Sequence, residues 1–278
     1  MINKKILLIL LFIALKTYSQ PFVDLFNIRY TKSIQNKNNS ETTANHIYIG
    51  PDFPLKQKNN SLFVFSPVYE NWSFNTEINK NILPTVSGLA LALSIVVPLD
   101  ENKWALTVSG IPRISSEGLT LNNGFQMGGI LLTSYKRKEN LTYKFGVYAN
   151  TEFNGFIILP LLGIDWRIDK KNTLFGVLPN RMTFEHRINK SFYTGGNFRI
   201  LSNSYRLKSG DYLRVDDRQL SAYLDYYPAK HLVISFEPGY GLLRKLGTGS
   251  VQSQNYVPNY NWGDGMFIKL TASYRIRL

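Results

Sequence analysis

From Met266 to Leu278 apolar and polar residues alternate. Met266, Ile268, Leu270, Ala272, Tyr274, Ile276 and Leu278 share one parity, and Lys269, Thr271, Ser273, Arg275 and Arg277 share the other, with Phe267 intruding on the polar side. Successive side chains of a β-strand point to opposite faces, so this pattern predicts a strand with one apolar face and one polar, cationic face. The first face suits lipid and the second a wet interior, as in a membrane-spanning barrel strand.

The same alternation recurs along the chain. In 141–150, Leu141, Tyr143, Phe145 and Val147 oppose Thr142, Lys144, Gly146, Tyr148 and Asn150. In 87–99, Leu89, Leu91, Leu93, Ile95 and Val97 oppose Gly88, Ala90, Ala92 and Ser94, and the small residues leave room inside. In 181–188, Met182, Phe184 and Ile188 oppose Arg181, Thr183, Glu185 and Arg187. Phe22, Asp24, Phe26, Ile28 and Tyr30 share a parity in a first strand, and in 61–73 Phe63 and Phe65 compete with Leu62 and Val64 for the outer face. Further strands are predicted at 46–55, 104–111, 125–135, 158–168, 174–179, 192–200, 219–227 and 232–242. That makes fourteen segments, or twelve if either the first pair or the short pair around Pro179 is not formed.

Short turns (56–60, 100–103, 136–140, 169–172, 189–190, 228–230) alternate with longer connections. The exception is a tight hairpin predicted at Pro179 and Asn180. An even strand number puts both termini at the short-turn, periplasmic end. The longest connection, Arg244 to Gly265, carries Tyr256, Tyr260 and Trp262 and is expected to fold over or into the pore.

The first residues follow a different pattern. Lys4 and Lys5 precede the apolar run Ile6 to Leu15, and Thr17 and Ser19 supply small residues for cleavage, so residues 1–19 read as a signal peptide and 20–278 as the mature domain. The most apolar later stretch, Gly88 to Leu99, is too short for a helix that needs roughly 20 residues to span a bilayer. With no cysteine the chain has neither a disulfide nor a lipoprotein anchor. Its 17 Phe and 17 Tyr suit strands and the aromatic girdles of a barrel, and Trp104 and Trp166 stand at strand edges where such girdles form. The predicted fold class is therefore an all-β, antiparallel transmembrane β-barrel of 12 to 14 strands behind a cleaved signal peptide.

The formal charge of +13 raises nucleic acid as a partner, but the cations are scattered over turns and strand faces without interleaved aromatics, which excludes it. The segment from Leu161 to Ile200, with Gly163-Ile-Asp-Trp166, Lys170-Lys-Asn172, Gly176-Val-Leu-Pro179 and the basic strand through Arg187, resembles a family of uncharacterised outer-membrane β-barrels, a domain of unknown function from the Bacteroides and Flavobacterium group. The strand Met266 to Leu278 is similar to the closing strand of such barrels, which implies recognition by the barrel-assembly machinery. The resemblance implies a location in the outer membrane of a Gram-negative bacterium, in contact with outer-membrane lipid, and supplies no catalytic or binding residues. A monomer is expected.

Parity then assigns the interior. Lys144, Arg167, Arg181, Arg187, Arg199, Lys269, Arg275 and Arg277 face the lumen, against Asp165, Glu185, Asp225 and Glu237. Fixed positive charge in a lumen favours small anions. The same residues filling the interior as ion pairs would make a plugged barrel, because unpaired charge in a narrow lumen is costly. A passive channel is thus the first reading and a structural or adhesive surface barrel the alternative. A lipid-modifying enzyme ranks last, since His46, His186 and His231 lie at strand ends with no local serine motif. No two histidines lie close in sequence and there is no thiol, so neither a metal nor a cofactor is expected. Asp216 and Asp217 are adjacent, which puts them on opposite faces of a strand and argues against a paired-carboxylate site.

Overall fold

The computed structural model describes residues 21–34, 42–57, 60–76, 83–100, 103–251, 255–260 and 262–278. The expected signal peptide lies outside them. The strands are β1 (Phe22–Ser33), β2 (Thr42–Pro51), β3 (Phe53–Lys56), β4 (Leu62–Thr76), β5 (Val86–Leu99), β6 (Trp104–Ser116), β7 (Phe125–Lys138) and β8 (Leu141–Glu152). They continue with β9 (Gly155–Arg167), β10 (Asn172–Leu178), β11 (Arg181–Arg187), β12 (Phe192–Arg206), β13 (Tyr212–Ala229), β14 (Leu232–Ser250), β15 (Asn255–Tyr260) and β16 (Gly265–Arg277). A helical turn, Leu121–Gly124, precedes β7.

These strands make a closed antiparallel barrel of fourteen crossings. β2 and β3 are one crossing interrupted at Asp52, since both pair with β4. β15 and β16 are likewise one crossing, pairing with the upper and lower parts of β14. The ring closes where β16 pairs with β1, from Phe22↔Arg277 to Ser33↔Phe267. Closure leaves no long lipid-facing edge around most of the wall, which is the condition for spanning a bilayer with strands.

The outer face carries the alternation read from sequence. Leu89, Leu93 and Ile95 of β5, Phe145 and Val147 of β8, and Ile268, Leu270 and Tyr274 of β16 are all exposed on it. Phe63 and Phe65 lie opposite Ile95 and Leu93 and so take the outer face of β4, while Leu62 is buried inside. At the short-turn end Trp104 packs on Tyr135 at 4.5 Å between ring centroids and on Phe145 at 6.1 Å, a segment of an aromatic girdle.

β1 departs from its expected parity. A register shift between Asp24 and Phe26 inserts a bulge, so Phe22 and Asp24 face the lumen while Phe26, Ile28 and Tyr30 face outward. An extra residue on one strand reverses every side chain beyond it. The stretches 201–206, 212–218 and 244–250, expected as parts of connections, are strand instead. They lengthen β12, β13 and β14 to 15, 18 and 19 residues, beyond the roughly 9–11 needed to cross a bilayer.

β10 and β11 are the opposite case. They are seven residues each, joined by the tight turn at Pro179 and Asn180. Above this low hairpin β12 leaves the wall and crosses the mouth, where Arg206 pairs with Ser116 of β6 and the Glu117 N–H donates to the Arg206 carbonyl at 2.8 Å. The tall strands enclose an apolar cluster at the long-strand mouth, formed by Ala44, Trp72, Val86, Tyr205, Leu213, Val215, Leu246 and Trp262 among others. Trp262 thus carries out the expectation that its connection folds into the pore, although most of that connection is itself a β-hairpin.

Candidate functional site in the barrel lumen

The eight cations assigned to the lumen fall into three groups, set by height along the barrel. Arg167 and Arg187 are exposed at the short-turn rim, on a groove shared with Lys170 and Lys171. In the same turn Asp169 accepts hydrogen bonds from the Asn172 side chain (2.7 Å) and the Lys171 backbone N–H (2.7 Å), which hold its carboxyl below the usual range.

The second group is ion-paired. Lys144 meets Asp165 at 2.5 Å and Lys269 donates to Glu237 at 2.7 Å. Arg275 donates through Nε and Nη2 to both oxygens of Asp24 (2.5 and 3.1 Å) and through Nη1 to Asp225 (2.6 Å), while its guanidinium lies 3.6 Å from the Phe22 ring centroid. Arg277 donates bidentately to Glu185 at 2.8 Å, and its Nε donates to the Tyr227 hydroxyl at 2.8 Å. This layer joins β1, β11, β13 and β16 across the lumen, filling it with planar, saturated contacts of the kind guanidinium makes best. For these four residues the ion-paired interior is what the barrel contains. Neutralising Arg275 with Arg277 would therefore break pairs rather than remove free charge.

The third group is Arg181 and Arg199, which face each other across β11 and β12. Arg29 of β1 joins them, and the charges of all three bear on one another. Among the described residues none of the three has a carboxylate within ion-pair distance or a side-chain hydrogen bond. Arg29 instead lies over Tyr48 at 4.5 Å and Arg181 over Phe175 at 5.8 Å, while the buried Nε of Arg199 has no acceptor. The carboxylates of this layer are engaged elsewhere: Glu237 by Lys269 and Ser221, Asp24 and Asp225 by Arg275, Glu185 by Arg277, and Asp52 by Ser66. Like charges directly opposite on adjacent strands are unfavourable, and a buried N–H donor without an acceptor costs its full desolvation. Arg29 was legible in principle, since its parity is opposite to Phe26, Ile28 and Tyr30.

Toward the mouth a further polar network holds the β12–β13 hairpin in place. Glu152 accepts from Arg113, from Asn150 (2.5 Å), and from both the hydroxyl and the backbone N–H of Ser204 (3.0 Å for the latter). Asn203 donates to Glu70 at 2.7 Å and accepts from Arg113 at 2.7 Å. Arg244, Glu70 and Glu152 were all missed by sequence reading, because β14 was expected to stop short, the parity of β4 around Glu70 was ambiguous, and Glu152 ends β8 beyond the expected strand. Asp216 and Asp217 occupy opposite faces as expected, and each is paired: Asp216 with Arg214 at 2.9 Å and Asp217 with Arg244 at 2.9 Å. The histidines are dispersed. His46 stacks on Trp72 at 4.0 Å, His186 bonds Asn172 at 2.7 Å, and His231 contacts the Arg275 carbonyl at 3.2 Å.

Fourteen antiparallel crossings, a lipid-facing apolar band and a charged interior define a β-barrel of the outer-membrane porin type. The chain belongs to the family of the domain of unknown function DUF6268, whose model matches residues 25–261. Among solved structures it is similar in fold to the COG4313 outer-membrane channel from Pseudomonas putida F1, at 8% identity and a TM-score of 0.50, over 90% of this chain and 94% of that one. Weaker similarities are to the NanC porin (10% identity, TM-score 0.42, 90% and 100% covered) and to the KdgM porin in complex with disordered oligogalacturonate (10%, 0.38, 89% and 98%). No curated protein matches.

Proposed function

We propose that this protein is a narrow passive channel in the outer membrane of a Gram-negative bacterium of the Bacteroides and Flavobacterium kind, selective for small or anionic solutes. In this reading the chain is exported through its N-terminal signal, inserted by the barrel-assembly machinery through Met266 to Leu278, and works as a monomer without enzymatic activity. The observation that carries it is the unpaired trio Arg29, Arg181 and Arg199, fixed positive charge inside a barrel whose other interior charges are largely neutralised. An anion in the lumen would find donors already desolvated and oriented, so little is lost in reorganising them. A second reading, a structural surface barrel with a plugged lumen, is supported by the apolar cluster at the mouth and the ion-paired layer below it.

Single-channel conductance in a planar bilayer under a salt gradient separates the two. A channel gives discrete openings with a reversal potential shifted toward that of the anion, and Arg181→Gln with Arg199→Gln moves it back toward zero. A protein that migrates as a folded, heat-modifiable barrel yet never conducts overturns the channel reading in favour of the plugged one.

A further inference from the structure

The barrel wall is lowest between β9 and β12. Pairing of β9 with β10 ends at Leu162↔Leu178, although β9 runs on to Gly155, still paired with β8. Across the turn the last links of β11 to β12 are Arg181↔Arg199 and the Ile200 N–H donating to the Asn180 carbonyl at 3.0 Å. Above that level β12 runs inward, meeting the β8–β9 turn at Ser204 and β6 at Arg206, so among the described residues no strand pairs with 155–161 of β9. Seven-residue strands fall short of the roughly 9–11 residues that cross the hydrocarbon, so the opening lies in the outer leaflet.

The edge of β9 is fitted to having no neighbour. The Arg167 N–H donates to Asn140 on the β8 side at 2.9 Å, so by alternation the backbone groups of even-numbered residues face the missing strand. Pro160 is one of them and has no N–H to leave unpaired, a usual device at sheet edges. The outward side chains remain apolar up to Phe156. Phe156, Ile158 and Leu162 are 65%, 64% and 65% exposed, against 46% to 50% for Phe236, Ile234 and Leu270 on fully paired strands. On the inner face beside the opening, Leu159 is 36% exposed.

Directly below the sill the chemistry changes. Arg181 follows Asn180, and Arg199 stands opposite it with Arg29 nearby. An opening whose β9 edge is apolar thus leads to three guanidiniums that no carboxylate pairs directly, while the axial mouth is filled by the Trp72 and Trp262 cluster. Open sheet edges within the hydrocarbon region are tolerated where they line a cavity rather than lipid.

We propose that this opening is a lateral portal for single-chain anionic amphiphiles, whose carboxylate, sulfonate or phosphate head sits on Arg29, Arg181 and Arg199 while the tail lies in the cleft between β9 and β12. The inference rests on the anion reading above and adds the ligand class and the route. It accounts for the low hairpin, the Pro160 edge and the unsatisfied arginines together.

The test is equilibrium binding of radiolabelled decanesulfonate and ethanesulfonate to the full-length protein in lipid nanodiscs, with empty nanodiscs subtracted. The longer sulfonate binds at least about tenfold more tightly, because its tail is buried in the cleft. Filling the cleft from either side, with Leu159→Trp or Ile200→Trp, weakens decanesulfonate about tenfold and leaves ethanesulfonate unchanged. Arg181→Gln with Arg199→Gln weakens both. If the two tryptophan variants, folded by heat-modifiable migration, bind decanesulfonate as the wild type does, the portal is overturned and the anion site stands. If the arginine variant binds both sulfonates as the wild type does, or the wild type binds neither, the anion reading fails and the portal with it.

Discussion

Two sets of arginines share one lumen and are treated in opposite ways. Arg275 and Arg277, at the C-terminal end of β16, each meet carboxylates, aromatic faces or both, and tie the closing strand to β1, β11 and β13. Arg181 and Arg199, opposite each other beside the low hairpin, and Arg29 have aromatic neighbours at most and no carboxylate within ion-pair distance. The residue type is the same and so is the setting, so the difference lies in where the acids fall. A saturated arginine is a structural brace. An unsatisfied one holds free energy that a ligand can recover.

Substitutions sharpen this contrast because they should have opposite signs. Arg275→Met leaves Asp24 and Asp225 without their partner, and breaking a buried pair on one side costs about 3–5 kcal/mol. The loss is read as a lower temperature for the heat-modified band shift; an unchanged temperature would show that the layer contributes no stability. Glu152→Gln comes next, since it removes the charge that holds Arg113 and both donors of Ser204, each such bond being worth about 1.5–3 kcal/mol. Its effect is local: the β12–β13 tip loosens, trypsin cuts faster after Lys208, and channel openings lengthen. Arg199→Gln is the smallest and runs the other way. Relieving a like-charge pair directly across two strands raises stability by about 0.2–1 kcal/mol while weakening anion preference. Destabilisation by that substitution would mean that Arg199 has a structural partner after all.

Most of the barrel was legible because lipid imposes period two on every crossing it touches. β8 and β16 alternate cleanly for that reason, and the tight turn at Pro179 was marked by its own residues. What was hidden lies where lipid does not reach. The upper parts of β12, β13 and β14 stand in water or against one another, so 201–206, 212–218 and 244–250 carry no outward apolar stripe and read as loops. The bulge near Leu25 has no signature in residue type, and it turned Asp24 from one face of the pattern to the other. The lumen charges could be counted from parity, but their pairing depends on register across the barrel, which joins Arg277 to Glu185 over 92 positions of chain. The decisive trio was the least readable feature, because it is defined by partners that are elsewhere.

The low hairpin also constrains the bilayer around the protein. A wall seven residues high stands between β9 and β12, of 13 and 15 residues, so the hydrophobic height of the barrel changes steeply over a few strands. Lipid meets such a mismatch by thinning, at a modest cost for each ångström. That cost falls on the lipid bordering the opening, and membrane thickness becomes a quantity to which this barrel is sensitive on one side only.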